Sequence, residues 1–367
     1  MTSGIEVPPS GTIGQDELEA ITLGASVFAS GGVALEAGSQ LADELAARLG
    51  TGAVGVVALD QIPDGAAVAA PTTHPRIRAR PSIDSAATAF RELGRCTVGE
   101  LDAVLPTSLD PRDLLVAIGV ALECDVPLVD AAGSARSVPR LTMTSWAAAG
   151  ITPGLLAFAD GIETTTIGTD SLVSADHAAE ALLAGGSMTG SIGSAAWAMS
   201  GPAGRRASIP AAVSSAWQLG SEILAARADG RDPVERALAV ADGAIVIGRG
   251  SLRRTVVALG DDDRLEAEID TPLGPIDVIA LDANLRVVRR DATVVAAPDL
   301  ITVLGPDGAP RTLRELTSDD AIGTLLTVIA MPAPAAFEAP IVLDAFGELQ
   351  RRSGGSGERV PFPESSA

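Results

Sequence analysis

Among the residues able to do chemistry, the most suggestive group lies in DAAGSARSVPR, Asp130 to Arg140, directly after the apolar run VPLV. A carboxylate at the tip of a buried strand can take a proton from water. The Gly, Ala and Ser that follow let a ligand approach the backbone, and free N–H groups in a Gly-containing turn can hold an anion or a carbonyl oxygen. Arg136 offers two parallel charge-assisted hydrogen bonds to a planar acceptor. The same spacing also suits a structural role, with Asp130 capping the next turn and Arg136 solvated. Ser30, Gly31 and Gly32 form a second candidate at the end of the first expected helix. The partial negative charge there disfavours a phosphate, and a plain glycine stop explains the same residues. Asp160, in Ala159-Asp160-Gly161, either faces the same cleft or makes a turn. GRGSLRR gathers Arg249, Arg253 and Arg254, for which internal ion pairing is expected in so acidic a chain.

Composition removes much other chemistry. All 26 basic residues are arginine. Without lysine there is no Schiff base, no pyridoxal phosphate anchor and no phosphate-binding loop ending in Gly-Lys-Ser/Thr. The two histidines, His74 and His177, lie far apart, and Cys96 and Cys124 form no close pair. Neither a zinc site nor a Ser-His-Asp triad is therefore expected, and no metal or cofactor. A formal net charge of -21 repels phosphate backbones and anionic lipid, so neither nucleic acid nor membrane is an expected partner. The opening MTSGIEVPPSGTIGQDE has no basic n-region, and no run reaches about 18 apolar residues. A cytoplasmic location is expected, and two unpaired cysteines agree with it.

The elements that must position these residues read as follows. Helices are expected at Asp16 to Phe28, Ser39 to Leu49 and Ser85 to Leu93, and short strands at GAVGVVAL and AAVAAP, with a loop from Pro71 to Pro81. AVLPTSL, DPRDLLVAIGVALEC and VPLVDA read as strand, helix and strand, with Asp110 as cap and Pro111 at the first helical position, which implies a parallel sheet with helices on its faces. Further helices are expected at Ser174 to Leu183 and Pro210 to Arg227. After Gly243 short alternating runs between Gly, Pro and Asp turns indicate an all-β barrel-like unit. The expected organisation is an α/β domain, parallel or mixed, over 1–240, a β-barrel-like domain over 241–346, and a flexible tail over 347–367.

The order LGASVFASGG, VPLVDAAGSARSVPRLTMTS, LAFADG, SSAWQLG and VVAAPDLITVL, spanning Asp16 to Glu348, resembles the S-methyl thiohydantoin desulfurase family. The resemblance implies an α/β domain followed by a β-barrel-like one, and hydrolysis of an S-methylated thiohydantoin to a hydantoin with release of methanethiol. It retains Asp130, Gly133, Arg136, Pro139 and Leu141 of the family's central motif. Ala132 replaces a second Asp, Ala135 a Gly and Arg140 a Glu; Ser108 stands where a Glu follows the strand, and Asp282 and Ala283 where an Asn-Glu pair is expected. A glycine quartet followed by Asp-Pro is reduced to Gly31 and Gly32, with Val33, Ala34 and Leu35 after them. These changes imply either a different substrate or a lost activity. In the enzyme reading Asp130 is the base and Asp160 its second, with Ser30, Gly31, Gly32, Gly133, Arg136 and Thr144 holding the ring. The other reading is a non-catalytic ligand-binding or scaffold paralogue, paired with an active relative or a hydantoinase-like partner. A homo-oligomer or a hetero-oligomer with a related subunit is expected in either case.

Overall fold

The computed structural model describes residues 11–74, 81–185, 188, 191–258 and 264–363. Strand β1 (Thr12–Ile13) leads into α1 (Gln15–Phe28), whose Glu17 carboxylate accepts a hydrogen bond from the Gly14 N–H at 2.8 Å. Ser30, Gly31 and Gly32 then take φ of 62°, 75° and 90°, and α2 (Val33–Leu49) begins at once. The helix expected from Ser39 is thus the later part of a longer one, because the positive-φ turn reverses the chain with no loop to spare.

The centre of the first sheet is built from β2 (Val54–Ala58), β3 (Ala67–His74), α3 (Ile83–Thr97), β4 (Ala103–Val104), α4 (Pro111–Cys124) and β5 (Leu128–Ala132). The strands lie in the order β2-β5-β4-β3, all parallel. Helix α4 starts as its sequence dictates: the Asp110 side chain accepts from the Asp113 N–H at 2.8 Å and Pro111 fills the first turn, where a missing N–H costs nothing. The strand β3 reaches His74, into the stretch expected to be a loop. Pro71 is tolerated because β4 ends opposite Ala69, so no ladder bond on that side is lost.

The chain continues through α5 (Ser145–Ala148), β6 (Leu155–Ala159), β7 (Thr164–Gly168), α6 (Leu172–Gly185), β8 (Ile192–Ser200), α7 (Gly201–Ala207), β9 (Ile209–Pro210), α8 (Ala212–Ala228) and α9 (Pro233–Val240). Strands β8, β6 and β7 extend the sheet beyond β3 in antiparallel pairings, and β9 pairs with β5, so the sheet is mixed. One face buries Leu41, Phe90, Leu114, Ile118 and Val213 from the helices α2, α3, α4 and α8. The other buries Trp146, Phe158, Leu172 and Trp197.

The second sheet comprises β10 (Ile245–Ala258), β11 (Arg264–Asp270), β12 (Ile276–Leu281), β13 (Ala283–Arg289), β14 (Ala292–Ala296), β15 (Leu300–Leu304) and, after the short α10 (Leu313–Leu316), β16 (Leu325–Met331). It is wholly antiparallel in the order β14-β13-β12-β11-β10-β16-β15. Its two end strands do not pair among the described residues, so it is a curled half-barrel, not a closed one. The expected arginine cluster is ion-paired internally, Arg253 and Arg254 with Glu268 of β11 at 2.7 and 2.9 Å and Arg249 with Glu235 of α9.

Helix α11 (Pro340–Arg352) runs on into the segment expected to be a flexible tail. The tail expectation is corrected as far as residue 363: Arg359 meets the buried Asp299 carboxylate at 2.6 Å, and Phe362 packs against the core of the second sheet. The rest of that expectation (364–367) and residues 75–80 of the expected loop lie outside the described residues.

Helices α1 and α8 cross in direct backbone contact. A Cβ on Gly24 would fall 1.8 Å from the Ala216 carbonyl oxygen, and one on Gly220 would fall 1.8 Å from that of Ala20. Neither neighbour is a side chain that can rotate away. Gly220→Ala should therefore force the helices apart and lower stability by roughly 1–3 kcal/mol, read as a reduced urea midpoint at unchanged slope.

Candidate functional site

A cavity of about 760 Å³ lies beyond the C-terminal ends of β3 and β4, where the loops leaving parallel strands are free to vary. Strand β3 brings Thr72 and His74 to it, and the first turn of α4 brings Arg112 and Asp113. The β8 strand supplies Ser194 to Trp197, α6 supplies Asp176 and His177, and α11 closes one side. Asp282, at the turn from β12 to β13, reaches it from the second sheet. Both histidines of the chain, distant in sequence, line this one cavity.

Its polar floor is a network centred on Asp113, which is 1% exposed. Thr72 Oγ1 donates to Asp113 Oδ1, the Arg112 Nε lies 3.0 Å from the same oxygen, and Ser108 Oγ is 2.7 Å from Asp113 Oδ2. The Ser108 oxygen is also 2.8 Å from Asp110 Oδ2. One hydroxyl carries one proton, so bonds to both carboxyl groups require a second. Burial, reinforced by the charge of Asp113, pushes the Asp110 carboxyl up from its ordinary value. Burial opposes the charge of Arg112, yet Asp113 and Asp110 outweigh it and keep the guanidinium firmly protonated.

His74 Nε2 lies 2.9 Å from Ser194 Oγ. Burial, then the positive field of Arg112, depress its pKa to about 4 against the opposing pull of Asp113. The imidazole is therefore neutral at neutral pH and able both to accept and to donate a hydrogen bond. Toward the mouth, Asp176 accepts from the Leu141 and Thr142 N–H groups at 2.6 and 3.3 Å and from Thr142 Oγ1 at 2.6 Å; burial raises its pKa and these bonds oppose the rise. Arg140 meets Glu348 through two bonds of 2.6 and 3.0 Å, joining the loop after β5 to α11. Among the described residues no group of three or more His, Cys, Asp or Glu could hold a metal ion, and no helix is long and apolar enough to cross a membrane.

The family model described as S-Me-THD-like, N-terminal domain matches residues 16–170, and its C-terminal counterpart matches 169–349. The chain belongs to the S-methyl thiohydantoin desulfurase-like family. A crystal structure of a protein from Chromobacterium violaceum superposes with a TM-score of 0.77 at 21% identity, over 96% of this chain and all of the other, so the two share the fold. No curated protein matches the chain.

In this S-Me-THD-like protein the residues nominated from sequence stand outside the cavity, and the structure gives each a partner elsewhere. Asp130, at the carboxyl end of β5, accepts from the Ser214 N–H at 3.0 Å and from the Ser214 hydroxyl. It caps the first turn of α8, whose own Ncap, Ala211, has no side chain to do so. Arg136 is 1% exposed and donates to the carbonyls of Asp299 at 2.8 Å and Asn284 at 2.7 Å, with the Phe346 ring 5.4 Å away. Burial lowers its pKa to about 10. Ser30, Gly31 and Gly32 pack against the β12–β13 turn, where a Cβ on Gly31 would meet Asn284 at 2.7 Å and one on Gly32 the Asp282 carbonyl oxygen at 1.7 Å. Gly133 lies under Trp146, Thr144 caps α5 through the Ala147 N–H at 3.2 Å, and Asp160 accepts from the N–H groups of Ile162 and Glu163 at the β6–β7 hairpin. Of the positions the resemblance raised, Pro139, Arg140, Leu141 and Asp282 do line the cavity.

Sequence reasoning missed His74, Ser194, Asp113 and Arg112. Asp113 and Arg112 were legible only as a helix N-terminus, and β8, rich in Ala and Ser, lacks the β-branched pattern that announces a strand.

Two predictions follow from this geometry. The cap role of Asp130 makes Asp130→Ala and Ser214→Ala each destabilising by about 1–2 kcal/mol and markedly non-additive, which a double-mutant cycle under urea denaturation measures. His74 has a folded pKa near 4 and an unfolded one near 6.5, so between those values the unfolded chain binds more protons. Its contribution is full above pH 6.5 and is lost as the pH falls toward 4, by up to about 3 kcal/mol. His74→Gln should flatten stability over that window, whereas an unchanged slope would assign the acid sensitivity to other groups.

Proposed function

We propose that this protein is a hydrolase of small hydantoin-type heterocycles, converting an S-methyl thiohydantoin to a hydantoin and methanethiol in the cavity floored by His74, Ser194 and Asp113. The observation that carries this reading is the neutral imidazole of His74 in contact with the Ser194 hydroxyl, beside a fixed positive charge at Arg112. The family membership supports a thiohydantoin-related substrate, and the cavity volume lies in the range of small-molecule sites.

The chemistry asks for little more. The ring carbon bearing the S-methyl group is electrophilic. A water held by Ser194 attacks it as His74 takes the proton; the new C–O bond forms, the C–S bond breaks, and the same proton passes to the departing methanethiolate. Atoms and charge balance with water as the only co-reactant. Because burial keeps His74 unprotonated, the imidazole enters the reaction as a base without first releasing a proton, and general base catalysis contributes about 10²–10⁴-fold. Arg112, pinned by Asp113, supplies positive potential for charge developing on the ring.

A second reading, ligand binding without turnover, is favoured by one observation: both oxygens of Asp113 already accept internal hydrogen bonds, so this carboxylate is spent on structure. The test is release of free thiol from a panel of S-methylated thiohydantoins. The hydrolase reading expects release by the wild-type protein and a loss of about 10²-fold or more in His74→Gln and Ser194→Ala, with Asp130→Asn retaining turnover in proportion to its folded fraction. No release from any member, alongside thermal stabilisation by hydantoin, selects the binding reading.

A further inference from the structure

The floor of the cavity changes character along the first sheet. Thr72 of β3 stands opposite Ser194 of β8, and Ser194 stands opposite Phe158 of β6. Residues directly opposed in antiparallel strands point to the same face, so these three side chains form one row across the sheet. His74 lies two positions beyond Thr72, and Leu156 two before Phe158, which places both on that face as well. All five line the cavity. The polar end of the row carries the His74–Ser194 pair. One strand spacing further, about 5 Å away, the floor is phenylalanine and leucine.

The wall near that end is apolar too. Ala179 and Leu183 of α6, Leu141 in the turn that α6 grips through Asp176, and Ile341 at the start of α11 pack against the cluster that holds Phe158 and Leu156, and they also line the cavity. These four are only partly buried, so each keeps apolar surface that the protein itself does not cover. Of the charged groups on the same walls, Asp176 accepts from the Leu141 and Thr142 N–H groups and Arg140 is joined to Glu348. Arg351 and Arg352 stand at the other end of α11, about 15 Å along its axis from Ile341. A cavity of about 760 Å³ is of a size that holds a drug-sized ligand, and a bare five-membered ring fills only a fraction of it.

We propose that this apolar arm receives a bulky side group carried by the ring, so that the substrate is an S-methyl thiohydantoin bearing an aliphatic or aromatic substituent on its saturated carbon. The assignment rests on the heterocycle reading of the same cavity and adds the class of substituent. The ring lies at the polar end, over Ser194 and His74, and the side group points along the row toward Phe158. The arm selects by size and hydrophobicity and takes no part in the bond changes at the ring.

Calorimetry with three probes tests this: hydantoin, its benzyl-substituted analogue and its carboxymethyl-substituted analogue, each substituted on the saturated ring carbon. Wild-type protein should bind the benzyl analogue about 10- to 100-fold more tightly than hydantoin, with a more negative heat-capacity change, and the carboxymethyl analogue no more tightly than hydantoin. Leu183→Ala, which trims the wall of the arm, should lower the benzyl-to-hydantoin affinity ratio about threefold or more. S-methylated thiohydantoins carrying the same groups should rank in the same order in kcat/KM for thiol release. Equal affinity for hydantoin and the benzyl analogue, or preference for the carboxymethyl one, overturns the proposal, and thiol release then still upholds the hydrolase reading. An unchanged ratio in folded Leu183→Ala also overturns it, because the side group then lies elsewhere. Failure of all three probes to bind, together with no thiol release from any substrate, overturns both readings. Should Leu183→Ala not fold, the ranking by the wild-type protein decides alone.

Discussion

The geometry of the site depends on a buried guanidinium that meets no carboxylate among the described residues. Arg136 leaves the loop after β5 and ends on two carbonyls of the second sheet, those of Asn284 and Asp299. A charge so placed is expensive, as its lowered pKa records. What it secures is the β12–β13 turn. Asn284 is gripped from three directions: its carbonyl by Arg136, its N–H by the Ser30 carbonyl at 2.7 Å, and its side chain by the Ile301 carbonyl at 2.9 Å. Two residues earlier, Asp282 lines the cavity and adds its field to that at Arg112. The wall contributed by the second sheet is therefore located by the first.

Seen from this seam, the small residues at the start of α2 have a mechanical purpose. Gly31 and Gly32 admit the turn that carries Asp282 and Asn284 to a distance no Cβ would allow. Ser30 supplies its carbonyl to Asn284 and its hydroxyl to the Ile301 N–H at 3.1 Å. On the far side, Asp299 accepts from Arg359, tying the C-terminal segment to the same place. Arg136, Asn284 and Asp299 form one connected unit, and loosening any member moves a cavity wall.

Much of the fold was legible in the chain because local signals agreed with tertiary demands. The cap at Asp110 with Pro111, the strands of the βαβ unit and the alternating runs after Gly243 all became the elements their patterns imply. The site was less legible because identity and distance in sequence are poor guides to what a buried polar group is spent on. Asp130 and Arg136 carry the residue types of a catalytic pair, yet a helix with a poor N-cap takes the first and two orphaned carbonyls take the second. Conversely His74 and Ser194 are separated by 120 positions and meet only because β3 and β8 pair antiparallel. An isolated histidine at the end of a strand that should have stopped at a proline gave no local hint of its partner.

The electrical character of the floor also constrains what can lie on it. Arg112 is matched by Asp113, Asp110 accepts from the Ser108 hydroxyl and the Asp113 N–H, His74 is held uncharged, and Asp176 is covered by a backbone turn and a threonine. Arg140 at the rim is joined to Glu348. A fully charged ligand would have to break one of these pairings or leave a partner bare, at a cost of several kcal/mol in so enclosed a place. A neutral ring whose polarity is confined to carbonyl and ring nitrogens needs only directed hydrogen bonds, which the imidazole and the serine hydroxyl can supply. The pairing of charges on this floor is thus compatible with the neutral heterocycle proposed for the cavity, in a chain with a formal net charge of -21.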